Sequence, residues 1–189
     1  MVKNAQLFKK IAFVILLIAM AVGWRIVNFN YHIAPNLEIV TAVSVLAAVT
    51  LGFRAAIIVP ITTMIVSDLI IGNSSIYIAT WSSFAIIGVF AVLLKKLNQK
   101  PKAQILYSVG FAAASSFFFF IVTNFGVWAQ GWYPATFAGL MESYTMAIPF
   151  YRTMLIGNLI IVPSTIAIWQ VVRAHQTAKN LVVDSLVSK

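Results

Sequence analysis

Long apolar runs, broken by short polar clusters, are the dominant pattern along this chain. After Lys3, Lys9 and Lys10, residues 11–24 carry no charge and close on Trp24 followed by Arg25, the pairing found where a helix meets lipid headgroups. A polar stretch from Asn28 to Asn36 follows. Further uncharged or nearly uncharged runs cover 37–53, 55–71, 76–94, 105–125 and 147–172. Each of the six is close to the roughly 20 residues that cross a bilayer as a helix. The pattern therefore predicts an all-α, polytopic membrane protein of six transmembrane helices. Asn36 and Glu38 suit the start of the second span as cap and first-turn carboxylate near water. Gly52-Phe53-Arg54 and Gly72-Asn73-Ser74-Ser75 read as tight turns, Pro60 as a kink in the third span, and Pro101 as a stop within a lysine-rich loop.

Composition sharpens this picture. Of 189 residues, 61% are hydrophobic and 9% charged, too few polar groups to cover a water-soluble globule. About 115 apolar residues allow five or six spans and leave no room for a soluble catalytic domain. A basic start, a short apolar core and Ala19-Met20-Ala21 also fit a signal peptide. The run continues, however, through Val22 and Gly23 to the Trp24–Arg25 anchor, which favours a retained first span. There is no internal repeat, and the expectation is a single domain over 1–189.

The net charge of +9 is a topology signal rather than a nucleic-acid footprint. Alternating six spans puts Lys3, Lys9, Lys10, Arg54, Lys95, Lys96, Lys100, Lys102, Arg173, Lys179 and Lys189 on one side and only Arg25 and Arg152 on the other. The positive-inside bias then expects both termini in the cytoplasm, with the chain in the cytoplasmic (inner) membrane.

Charged groups at membrane depth are few, and each costs about 2.5–3.5 kcal/mol at a helix centre on insertion scales. Asp68, just before the third span ends, is the sharpest case. With Arg25, Glu38 and Arg152 it forms an outer layer of two acids and two bases. Two readings stand open: an Asp68–Arg152 or Asp68–Arg25 ion pair joining helices, or charges lining a ligand cavity. Amides and aromatic rings gather at the same level, with Asn36, Asn73, Asn124, Trp128, Trp132, Tyr133, Tyr144 and Asn158. An interfacial aromatic belt accounts for single rings, and interhelical hydrogen bonding accounts for single amides. Together they describe a small-molecule pocket. The expected substrate-binding residues are Asn36, Asp68, Asn124, Trp128, Tyr133, Tyr144, Arg152 and Asn158, with Arg152 suited to a carboxylate or phosphate.

Several chemistries find no residues. Zero cysteines leave no disulfide, thiolate metal site or cysteine nucleophile. The two histidines, His32 and His175, fall on opposite sides, so neither a Ser-His-Asp set nor a His-Glu-x-x-His site can be assembled. No phosphate-binding Gly-x-x-x-x-Gly-Lys loop occurs. The expectation is a protein that is not an enzyme and uses no cofactor or metal. Small-x-x-x-small steps at Ala19 and Gly23, Ala48 and Gly52, and Ala112 and Ser116 permit close helix packing.

The segment with Pro35-Asn36, the stretch from Val59-Pro60 to Ser67-Asp68-Leu69-Ile70-Ile71-Gly72, and the region from Thr123-Asn124-Phe125-Gly126-Val127-Trp128 to Pro149-Phe150 resemble an uncharacterised bacterial membrane family. That family in turn resembles the substrate-binding S components of energy-coupling-factor (ECF) transporters. The resemblance spans about Arg25 to Ile166. It implies a six-helix binding subunit for a vitamin or other small metabolite, with an external pocket closed by loops, working with a transmembrane coupling subunit and two ATPase subunits. Many S components carry Ala-x-x-x-Ala on the first helix for docking to that subunit. Here the fourth residue after Ala12 is Leu16. The competing classes are a membrane-embedded enzyme or accessory protein acting on a lipid or isoprenoid, and a small secondary carrier. The first needs more proton-transfer groups than one aspartate, and the second needs ionisable groups near the midplane.

Overall fold

A computed structural model describes residues 2–72, 75–97 and 100–187. Asn73 and Ser74 of the expected turn, Asn98 and Gln99 of the basic loop, and Lys189 lie outside the described residues, as do the side chains of Lys3 and Lys96. Six helices are described: α1 (Val2–Tyr31), α2 (Val40–Leu51), α3 (Phe53–Ile71), α4 (Tyr77–Leu97), α5 (Pro101–Ala129) and α6 (Phe137–Val187). Five are long and apolar enough to cross a membrane.

The exception is α2. Its 12 residues rise about 18 Å at ~1.5 Å each, well short of a hydrocarbon core of about 30 Å. The expected span of 37–53 is thus too long at both ends. Asn36 adopts φ 59° in the connecting segment and does not cap the helix, whose N-terminal boundary residue is Ile39. Glu38, expected near water, is buried. Gly52 alone separates α2 from α3; its φ of 91° lies where a Cβ is strained, so the turn tightens to one residue and Phe53 and Arg54 join α3.

Val40-Thr-Ala-Val-Ser-Val-Leu-Ala-Ala-Val-Thr-Leu51 is apolar or small on every side, the signature of a helix buried all round. The other helices enclose it. On one flank Val43 and Ala47 meet Leu17 and Ala21 of α1 and Ala55 and Val59 of α3. On the other, Ala42, Val45, Ala48 and Val49 meet Ala91 and Leu94 of α4, Ala112 of α5, and Val162 and Ile166 of α6. The outer faces remain apolar, with Phe8, Leu69, Leu106, Ile160 and Ile168 exposed, as lipid-facing surfaces require.

Pro60 lies inside α3. Lacking an N–H, it leaves Ala56 O without its helical donor. Gly88 of α4 packs against that carbonyl so closely that a Cβ there would overlap it, which brings the two backbones into weak C–H···O range. At the end of the bundle shared by the chain termini, Gln104 donates to Leu94 O (3.3 Å) and accepts from Gln170 Nε2 (3.0 Å), which also donates to Pro101 O (3.0 Å). These amides tie α4, α5 and α6 together. Lys9, Lys10, Arg54, Lys95, Lys100, Lys102, Arg173 and Lys179 belong to this end or project beyond it. The last helix, 51 residues long, runs about 76 Å at ~1.5 Å per residue.

Candidate functional site

Because α2 is short, the opposite end of the bundle is not filled. A cavity of about 820 Å³ opens there, bounded by the last turns of α1 and α3, the first turns of α4, the 34–38 segment, Phe119 of α5 and Met154 of α6. Its rim residues His32, Pro35 and Asn36 are exposed, while Glu38 lies deep in the wall and is buried. Non-helical backbone at membrane depth is tolerated where it lines such a cavity, and here the backbone groups are largely accounted for by side chains. Asn28 Nδ2 donates to Ala34 O (2.9 Å) and Leu37 O (3.0 Å), and its Oδ1 accepts from Ala34 N (3.0 Å). Trp24 Nε1 also donates to Leu37 O (2.9 Å).

One wall carries the ion pair. Since α1 and α3 run parallel, Arg25 reaches across to donate from Nη2 to Asp68 Oδ1 (2.6 Å) and from Nε to Ser67 Oγ (2.6 Å). Trp81, brought back by the antiparallel α3–α4 connection, donates to Asp68 Oδ2 (2.8 Å). Both carboxylate oxygens are thereby occupied, the condition for retaining a charge in such a place. Of the two partners the sequence leaves open for Asp68, Arg25 is the one present. This salt bridge joins α1 to α3.

The deeper wall holds a second polar set. Glu38 Oε2 accepts from Thr41 N (2.8 Å), satisfying a free donor of the first α2 turn from outside the usual cap position. Its Oε1 accepts from Asn158 Nδ2 (2.8 Å), which also donates to Ser116 Oγ (3.1 Å). One amide thus joins the segment before α2 to α5 and α6. Among the described residues, Asn158 Oδ1 and Thr63 Oγ1 are buried without a hydrogen-bond partner. The floor beneath is apolar, with Phe84 and Phe119 rings 4.8 Å apart and Met64 and Met154 beside them.

The expected binding residues divide. Asn36 and Asp68 line the cavity. Asn124 lines a smaller adjoining space of about 150 Å³ that shares Asn36, Thr80, Phe119 and Met154 with the larger one; its Nδ2 donates to Phe120 O in its own helix (2.7 Å). Asn158 lies behind Glu38 as its partner. Trp128 Nε1 donates to Pro134 O (3.0 Å) and Tyr144 OH to Ile121 O (3.0 Å), fastening the α5–α6 connection. Tyr133 is half-buried in that connection, and neither it nor Arg152, exposed on α6, borders either space. Asn28, Phe29, His32 and Glu38 are among the lining residues that the expected binding set does not include. A signal existed for three of them: with Arg25, the positions 25, 28, 29 and 32 repeat at i, i+3, i+4, i+7 and mark one face of α1.

Among the described residues no three His, Cys, Asp or Glu side chains approach one another closely enough to hold a metal ion. The architecture defines a membrane-embedded helical protein with a largely apolar cavity, carrying a few fixed polar groups, at one end of the bundle. More specifically, the chain belongs to the family described as a family of unknown function (DUF6580), which matches residues 5–181. No curated protein and no solved structure matches it.

Proposed function

We propose that the chain is the substrate-binding membrane subunit of an ECF-type transporter for a vitamin or other small metabolite. It lies in the cytoplasmic membrane with both termini inside, and it captures its ligand from the outside without converting it. The observation that carries this reading is the cavity itself. A volume of about 820 Å³ falls within the range of small-molecule sites, roughly 300–1,000 Å³. It opens opposite the lysine-rich end, and it combines an apolar aromatic floor with a few fixed polar groups. Energy for uptake comes from outside the chain, from a coupling subunit and two ATPase subunits, since the sequence has no nucleotide-binding loop of its own.

The test has two parts. Native mass spectrometry of the gently purified protein should reveal a bound small molecule, recovered unchanged after incubation. Cells should accumulate that molecule only when an ATPase partner is intact. Uptake into ATP-free liposomes containing this chain alone would falsify the assignment and favour a secondary carrier, and conversion of the ligand by the purified chain would favour an enzyme.

A further inference from the structure

The charges around the cavity do not balance. Arg25, Asp68 and Glu38 all line it. Arg25 and Asp68 cancel, and Trp81 occupies the second Asp68 oxygen. Among the described residues no cation pairs with Glu38. Its two oxygens accept from Thr41 N and Asn158 Nδ2, both neutral donors, and the residue is only 8% exposed. Removing a carboxylate from water without a counter-charge is costly. A positive group entering the cavity would supply the missing partner. The floor suits the apolar frame of such a guest, because Phe84, Phe119 and Met154 line it. Arg152, the residue that would have favoured an anionic ligand, does not border the cavity.

The geometry points to a ligand that carries a cationic nitrogen on an apolar or aromatic frame, its nitrogen at Glu38 and its body against Phe84, Phe119 and Met154. This inference rests on reading the cavity as a ligand site and adds the charge class of the ligand. A bare inorganic ion would leave most of the apolar lining unused.

Three probes that share a ring and differ in charge test it on the full chain in detergent: benzyltrimethylammonium, benzyl alcohol and benzoate, each titrated by calorimetry and by thermal shift. The cation should bind and raise the melting temperature, the alcohol should bind more weakly, and benzoate should not bind. In Glu38→Gln, which keeps an oxygen acceptor for Asn158 or Thr41, the cation should bind roughly tenfold more weakly, as expected for loss of a charge-assisted contact. Glu38→Asp should keep the order of preference. Size-exclusion profiles and circular dichroism establish that each variant is folded; if Glu38→Gln is not, the order of the three probes on the unaltered chain decides alone. Benzoate binding as well as the cation, no binding by any probe, or an unchanged cation affinity in folded Glu38→Gln overturns the inference. None of these outcomes touches the requirement for an ATPase, so the transporter reading stands or falls separately on uptake.

Discussion

Replacing Asp68 with alanine removes the acceptor of two donors at once: Arg25 Nη2 at 2.6 Å and Trp81 Nε1 at 2.8 Å. Breaking a buried ion pair costs about 3–5 kcal/mol. Arg25 keeps its bond to Ser67 Oγ, and its side chain is 20% exposed beside the cavity, which puts the electrostatic loss near the lower end, about 3 kcal/mol. The abandoned indole N–H adds about 1 kcal/mol. For a chain of this size each kcal/mol moves the melting temperature by about 2–4 °C, so Asp68→Ala should melt roughly 8–16 °C lower. Asp68→Asn retains an oxygen acceptor and should lose about half as much. A double-mutant cycle with Arg25→Ala isolates the pair, because alanine at either position already abolishes the same interaction. The two losses should therefore fall short of additivity by at least about 1.5 kcal/mol. Unfolding of the purified chain in detergent, followed by circular dichroism, measures all four corners. Strict additivity would refute the pairing.

The close approach of α3 and α4 gives a second test: Gly88→Ala puts a Cβ into Ala56 O and should destabilise by about 1–3 kcal/mol, whereas Gly110→Ala, which meets open space, should stay within about 0.5 kcal/mol; equal melting temperatures would contradict the packing. Asn28→Ala deletes three hydrogen bonds to the 34–37 segment and should speed amide exchange at Ala34 about fivefold or more, for about 1 kcal/mol of lost protection, with an unaltered exchange rate counting against the latch. Reporter fusions after Lys102 and at the carboxyl terminus should both read cytoplasmic while an insertion at Gly131 reads external, and any other pattern breaks the proposed topology.

Much of the architecture was legible because lipid imposes one rule, satisfaction of the backbone within each helix, and apolar run length follows from it. The ends of the second span are not legible, for a related reason. Leu37 and Ile39 are as apolar as helical residues, so hydropathy alone does not reveal that Asn36 turns the chain into the left-handed region and that α2 starts only at Val40. Asp68 was legible as a charge in an apolar run. Choosing Arg25 over Arg152 required the parallel course of α1 and α3, a long-range fact. Glu38 reads as water-facing in the sequence because its surroundings come from Asn158, 120 positions away. Trp128 and Tyr144 have the composition expected of a pocket, yet Trp128 bonds the α5–α6 connection and Tyr144 ties α6 to α5, which composition does not distinguish.

The brevity of α2 also has an electrical side. On the proposed orientation the open cavity would bring the outer aqueous phase inward to the rim above the buried Glu38, so the membrane voltage would fall mainly across the packed half below, where Ala42 to Val49 meet α4, α5 and α6. Moving one elementary charge through 100 mV is worth about 2.3 kcal/mol. A charged guest settling at Glu38 would have crossed little of that field, so its loading should be nearly indifferent to membrane potential. Release through the other half would traverse almost all of it, and an inside-negative potential would favour delivery of a cation while opposing its return.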